Sequence, residues 1–140
     1  MDRTAARALA ASTLAATGAY TVGADVHVYQ GGLGDFGGQS PVAVVTSRSL
    51  GLEAIARDLY EVTNGLSVSI YVRKADGATG AADAEATLDT LVRDAAVALH
   101  ETGYFLVGES SAAPDGFPLR LIDTVLYRVE RIPLTVLEEG

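Results

Sequence analysis

Asp25 and His27 stand two residues apart in DVHVYQ, a run in which Val26 and Val28 alternate with His27 and Tyr29. On a strand that spacing puts the acid and the imidazole on one face, where a carboxylate could orient a general base. No nucleophile elbow ties a serine to them, so a surface Asp-His pair is the simpler reading. Directly after this run comes GGLGDFGGQSP, Gly31 to Pro41, a formal G-x-G-x-x-G match at Gly32, Gly34 and Gly37. A dinucleotide fingerprint needs a helix after its glycines, yet Gln39, Ser40 and Pro41 lead into the β-branched run VAVV. A kinase-type glycine loop needs a lysine on the next strand and H-R-D and D-F-G segments, and a Walker loop needs its own lysine; none is present. The stretch therefore reads as a long hairpin tip using glycine for unusual dihedrals, with Phe36 as an exposed apolar contact at its centre.

The other chemistry-bearing residues carry equally little. His100, at the end of the central helical run, suits the negative end of a helix dipole. The two histidines have neither H-x-x-x-H nor H-x-H spacing, which excludes the common metal patterns. Asp83 with Glu85, and Glu138 with Glu139, read as solvated faces. There is no cysteine, hence no disulfide, thiolate zinc site or cysteine nucleophile. The expectation is a protein that is not an enzyme and carries no cofactor or metal; the contrary reading is a small ligand-binding domain or enzyme built on Asp25 and His27.

The chain has 140 residues, enough for one domain spanning 1–140 with a real core, and 49% are hydrophobic. Eighteen acidic residues against ten basic ones give a formal charge of −8, the opposite of what binding by phosphate neutralisation requires. The opening MDRTAARALAASTLAATGAY has the arginines of a signal peptide but too few strong hydrophobes, and is read as a first helix ending near Gly18. No apolar run approaches the ~20 residues of a membrane span.

These features sit on alternating helix and strand patterns. Thr4 to Thr17 are helix formers with Leu9, Thr13 and Ala16 or Thr17 on one stripe. Strands are expected at DVHVYQ, at Pro41 to Arg48, and at GLSVSIYVRK, where Val68, Ile70 and Val72 oppose Ser67, Ser69, Tyr71 and Arg73. Between the last two, Ser49 to Asn64 is read as a short helix or a loop, closed by a turn at Asn64-Gly65. From Ala81 to Glu101 the period becomes helical, with Leu88, Leu91, Val92, Ala95 and Leu99 on one face and Gly103 beyond the end. YFLVGES and the long run LIDTVLYRVERIPLTVLEEG, interrupted by Pro133, complete the strands. The predicted fold is α+β: a mostly antiparallel sheet of four to five strands flanked by an N-terminal helix and a central amphipathic helix.

The order of a leading helix, SPVAVVTSR after a glycine loop, LSVSIYVRK, a helix containing LDTLVRDAAVAL, and a closing LIDTVLYRVERIPLTV resembles the tail terminator proteins of long-tailed bacteriophages. The resemblance covers nearly the whole chain, and YRVERIPLTV is its most characteristic stretch. It implies a structural virion protein of the tail neck, assembled in the host cytoplasm as a homo-oligomeric, hexameric ring. Such a ring caps the tail tube, meets the head-tail connector or stopper, and lets genomic DNA through without specific binding. A neighbouring neck component, a head-tail stopper or connector, would have similar size and acidity.

A ring also has physical requirements of its own. Each subunit offers two unlike surfaces that meet head to tail, so strand faces mixing Tyr, Arg and aliphatic groups are natural contacts. Tyr71, Arg73, Tyr127, Arg128 and Arg131 are accordingly the expected interface residues, with Asp123 or Glu130 as partners. The glycine loop, with Leu33, Asp35 and Phe36, and the segment Ser49 to Asn64 are the expected docking elements toward tube or connector. Acidic groups facing the channel would repel phosphate, over a Debye length of about 8 Å at physiological salt.

Overall fold

The first helix starts because Asp2 caps it, its carboxylate accepting the Ala5 N–H at 2.8 Å. A computed structural model describes residues 2–17, 26–28, 41–57, 59–74, 77–112, 119–122 and 125–137. Helix α1 runs Arg3–Ala16 and helix α2 Gly77–Glu101. The strands are β1 (Val26–Val28), β2 (Val42–Ala56), β3 (Leu59–Arg73), β4 (Phe105–Val107), β5 (Leu119–Ile122) and β6 (Val125–Val136). They form one sheet in the order β1-β2-β3-β6-β4, with β5 also paired to β6. Only β1 runs parallel to its neighbour, β2; the other pairings are antiparallel. The α+β fold with its leading and central helices is thus the one the patterns predict.

Both helices lie on the same side of this sheet, here called the helix side. On β3 the alternation delivers Leu66, Val68, Ile70 and Val72 to the helices, and β6 adds Ile132, Leu134 and Val136. Helix α2 answers with Ala84, Leu88, Leu91, Val92, Ala95 and Leu99, which includes every residue the helical period selected. It stops where expected. Gly103 adopts φ 77, and its N–H bonds the His100 carbonyl at 3.2 Å, while Thr102 Oγ1 donates to the Leu99 carbonyl at 2.7 Å.

Helix α1 is rotated relative to the expectation. Its buried residues are Ala6, Arg7, Ala10 and Leu14, whereas Leu9 is only partly covered and the Thr13 hydroxyl donates back to the Leu9 carbonyl at 2.7 Å. Alanines let the helix backbone approach the sheet closely, an advantage that a search for bulky apolar residues overlooks. The Arg7 guanidinium is buried with them and donates to the Ser47 hydroxyl on β2.

The segment Ser49–Asn64 is neither helix nor loop. It is the outer half of a long hairpin, paired from Ser49 with Gly65 out to Ala56 with Leu59. Asn64-Gly65 is not a turn either, and lies inside β3. Its glycine serves a β-bulge: the register shifts between Ser47 and Ser49, and a Cβ on Gly65 would meet the Ser49 hydroxyl and the Arg48 guanidinium.

The bulge also reverses which side each β2 residue faces. Before it, Ala43 and Val45 face the helices; beyond it, Leu50 and Leu52 do, since they pair with Asn64 and Val62, in step with Leu66 and Val68.

Strand β6 passes straight through Pro133. Arg131 and Ser111 exchange both backbone bonds, at 2.8 and 3.0 Å, so the nitrogen at 133 points to the same edge, just past the last β4 pair, Val107 with Leu134. There the Gly108 N–H donates to the Pro133 carbonyl at 2.8 Å, and a Cβ on Gly108 would lie 2.9 Å from the proline ring. Gly108→Ala is therefore expected to cost about 1–2 kcal/mol in urea unfolding; an unchanged midpoint would show that the ring yields freely.

Candidate functional site

The side of the sheet away from the helices, the distal side, carries most of the residues expected at an interface. Val42 and Val44 of β2, Tyr71 of β3 and Tyr127 and Val129 of β6 form a second buried cluster there. The two tyrosine rings meet edge to face, with centroids 6.2 Å apart and planes at 87°. Tyr71 is 4% exposed and Tyr127 not at all, in the single chain. The chain itself therefore covers them, whereas the expectation was that a neighbouring copy would. Mixed strand faces gave the right side of the sheet, but alternation reports that a residue is covered without reporting by what.

The arginines separate by side. Arg128 points toward the helices, where Nε and Nη2 grip the Glu85 carboxylate of α2 at 2.8 and 3.1 Å. Nη1 donates to the Val129 carbonyl at 2.6 Å, and Glu130 lies 4.0 Å from Nη2. Arg128 thus ties β6 to α2 within the chain through Glu85, 43 residues earlier, with Glu130 at the edge of ion-pair distance. Glu85 is half-exposed, so the pair is worth little: a double-mutant cycle on Arg128→Ala and Glu85→Ala is expected to give a coupling of about 1 kcal/mol or less. A coupling several times larger would mean the pair is shielded by something further.

Arg131 remains on the distal side, half-buried beside Ser69 across the ladder, and its Nε has no hydrogen-bond partner among the described residues. The same holds for the hydroxyl of buried Ser67, two residues along β3. Arg73 is exposed at the end of β3, opposite Tyr127. Asp123, Asp25 and the glycine loop with Leu33, Asp35 and Phe36 lie outside the described residues; His27 is placed only by its backbone, opposite Val44. His100 occupies the last turn of α2 as expected. Among the described residues no group of three or more His, Cys, Asp or Glu is placed to hold a metal ion, and no helix is long and apolar enough to cross a membrane.

The segment Ser49 to Asn64 was expected to dock, but the sequence reading singled out none of the exposed apolar side chains of the sheet. Beyond Gly65, β3 has no pairing to β6, so the hairpin projects as a two-stranded arm with no third strand among the described residues. On its helix side Leu50 and Leu52 are 55% and 63% exposed. On the distal side, across β6, Leu106 of β4 faces outward beside Thr135 and is 59% exposed; Leu137, next along from Val136, is 41% exposed. The period-2 spacing of Leu50 and Leu52 was the available signal.

No family model matches this chain, and no curated protein matches it. Fold geometry and residue chemistry are therefore what bears on function.

Proposed function

We propose that this protein is a structural component of a phage particle, a tail terminator, whose identical copies close into a ring at the top of the tail tube. The observation that carries the reading is the pair of uncovered apolar patches, Leu50 with Leu52 on the helix side and Leu106 with Leu137 on the distal side. Patches on opposite faces of one sheet cannot cover each other within a chain; a two-fold dimer would pair the two patches reciprocally and stop at two copies. A head-to-tail contact covers both with a single repeated interface, and closes into a ring when the rotation permits. The order of elements supports the same reading, because it is the order that carries the resemblance to tail terminators.

In this proposal the ring is a hexamer that sits on the tube protein below and receives the head-tail connector or stopper above, in the neck of the virion. Its role is assembly rather than catalysis, with no cofactor. The chain's charge of −8 suits a channel through which DNA slides without being held, since acidic groups near the wall repel phosphate within about 8 Å. Electron microscopy of the purified protein tests the proposal: rings with a central hole are expected, and lone particles or two-fold dimers without a channel would overturn it.

A further inference from the structure

We infer that the β2–β3 arm of one subunit lies on the distal surface of the next, Leu50 and Leu52 against Leu106 and Leu137, so that every chain both gives and receives the same contact. The inference rests on the ring reading and specifies which surfaces close it.

The arm needs a cover. A two-stranded ribbon is marginal alone in water, and this one turns two leucines to solvent instead of to a core. Eight residues of β2, from Ser49 to Ala56, give it a reach of about 27 Å at ~3.4 Å per residue, enough to extend onto a neighbour. Its partner is a protein surface. Two strands with no third beside them among the described residues wall no pocket for a small molecule. Its sequence also sets Glu53, Asp58 and Glu61 against one cation, Arg57, which disfavours nucleic acid and anionic lipid.

That protein surface is found on this chain. Leu106 stands on β4, a three-residue strand that pairs with β6 alone among the described residues and so leaves an open edge beside its exposed leucine. Leu137 adjoins it, its N–H held by the Tyr104 carbonyl at 2.8 Å, which fixes the patch at the end of β6. The two halves face opposite ways, as a contact propagated by rotation requires. One face of the ribbon, about 27 Å by ~10 Å, supplies about a third of the ~800 Å² per partner of a stable interface, and the proposal places the remainder on the sheet surface around β4.

The absence of native cysteine makes the test clean. A chain carrying Leu52→Cys and Leu106→Cys is oxidised, and its non-covalent mass is measured in parallel. The expected result is a ladder of disulfide-linked dimers, trimers and higher species that ends at the ring size. Mixing Leu52→Cys chains with Leu106→Cys chains should yield linked dimers and nothing larger, while neither variant alone links appreciably. Both positions are exposed, so the variants should melt as the parent does. Rings that form without any 52–106 link would overturn the arm contact and leave the ring reading standing. Linked dimers and nothing larger from the two-cysteine chain, or dimers from Leu52→Cys alone, would replace it with a two-fold contact, and a monomer that never links would overturn both.

Discussion

Tyr127→Ala is expected to lower the unfolding free energy by about 3–5 kcal/mol, the usual cost of deleting a large buried ring, out of a total of about 5–15 kcal/mol. The ring is fully buried in the single chain, its edge-to-face partner Tyr71 is nearly so, and Val42, Val44 and Val129 complete the pocket. Removing it opens a cavity on the distal side, beneath whatever the assembly places there. Tyr127→Phe keeps the ring and should retain most of the stability. Urea unfolding with the chain held monomeric, by dilution or by the arm substitutions below, separates a folding role from an assembly role. A loss of assembly with no change in the midpoint would return Tyr127 to the interface.

The largest effect on assembly is expected from Leu50→Asp combined with Leu52→Asp. Both side chains are more exposed than buried, so folding stability should change by no more than about 0.5 kcal/mol for each. Burial by a neighbour would bring about 1–2 kcal/mol per leucine, given that each is partly covered already and that full burial is worth ~1.5–3 kcal/mol. Two of them amount to about 2–4 kcal/mol at every contact, or roughly a 30- to 1000-fold weakening. Because each subunit takes part in two such contacts, the variant should sediment as a folded monomer at concentrations where the parent is assembled. Intact rings from the double variant would remove the arm from the interface.

Which parts of this molecule could be read from sequence follows from how local their causes are. The period of α2 selected its buried face from Leu88 to Leu99, and the alternation of β3 selected Val68, Ile70 and Val72, because a long element facing one core repeats its instruction many times. The arm defeated the same method. LGLEAIARDLYEV carries both a period of two, in Leu50 and Leu52, and an approximate period of three to four, in Leu52, Ile55, Leu59 and Val62; pairing across the hairpin decides between them. The bulge at Arg48 then reverses the parity, so the faces inferred from Val42 to Val45 cannot be carried past it. Asn64-Gly65, a strong turn signal by composition, instead lies within β3 beside the bulge, where the Ser49 and Arg48 side chains approach the glycine. The bond from Arg128 to Glu85 depends on how β6 meets α2 in three dimensions, which spacing along the chain does not encode.

For the candidate site, the distal side of the sheet was legible and its occupancy was not. Tyr71 and Tyr127 share the composition favoured at interfaces and at buried edges alike, and only the surrounding valines settle that the chain covers them itself. Leu106 and Leu137 looked like ordinary strand residues; their exposure comes from β4 being three residues long and at the edge.

The claim beneath all of this is that hydrophobic groups left wet on both sides of one sheet are meant to be hidden by further copies of the same polypeptide. Native mass spectrometry of the unmodified protein across a wide concentration range addresses it most directly. A single closed species of fixed subunit number is the predicted result, and a chain that stays monomeric at every concentration would contradict it.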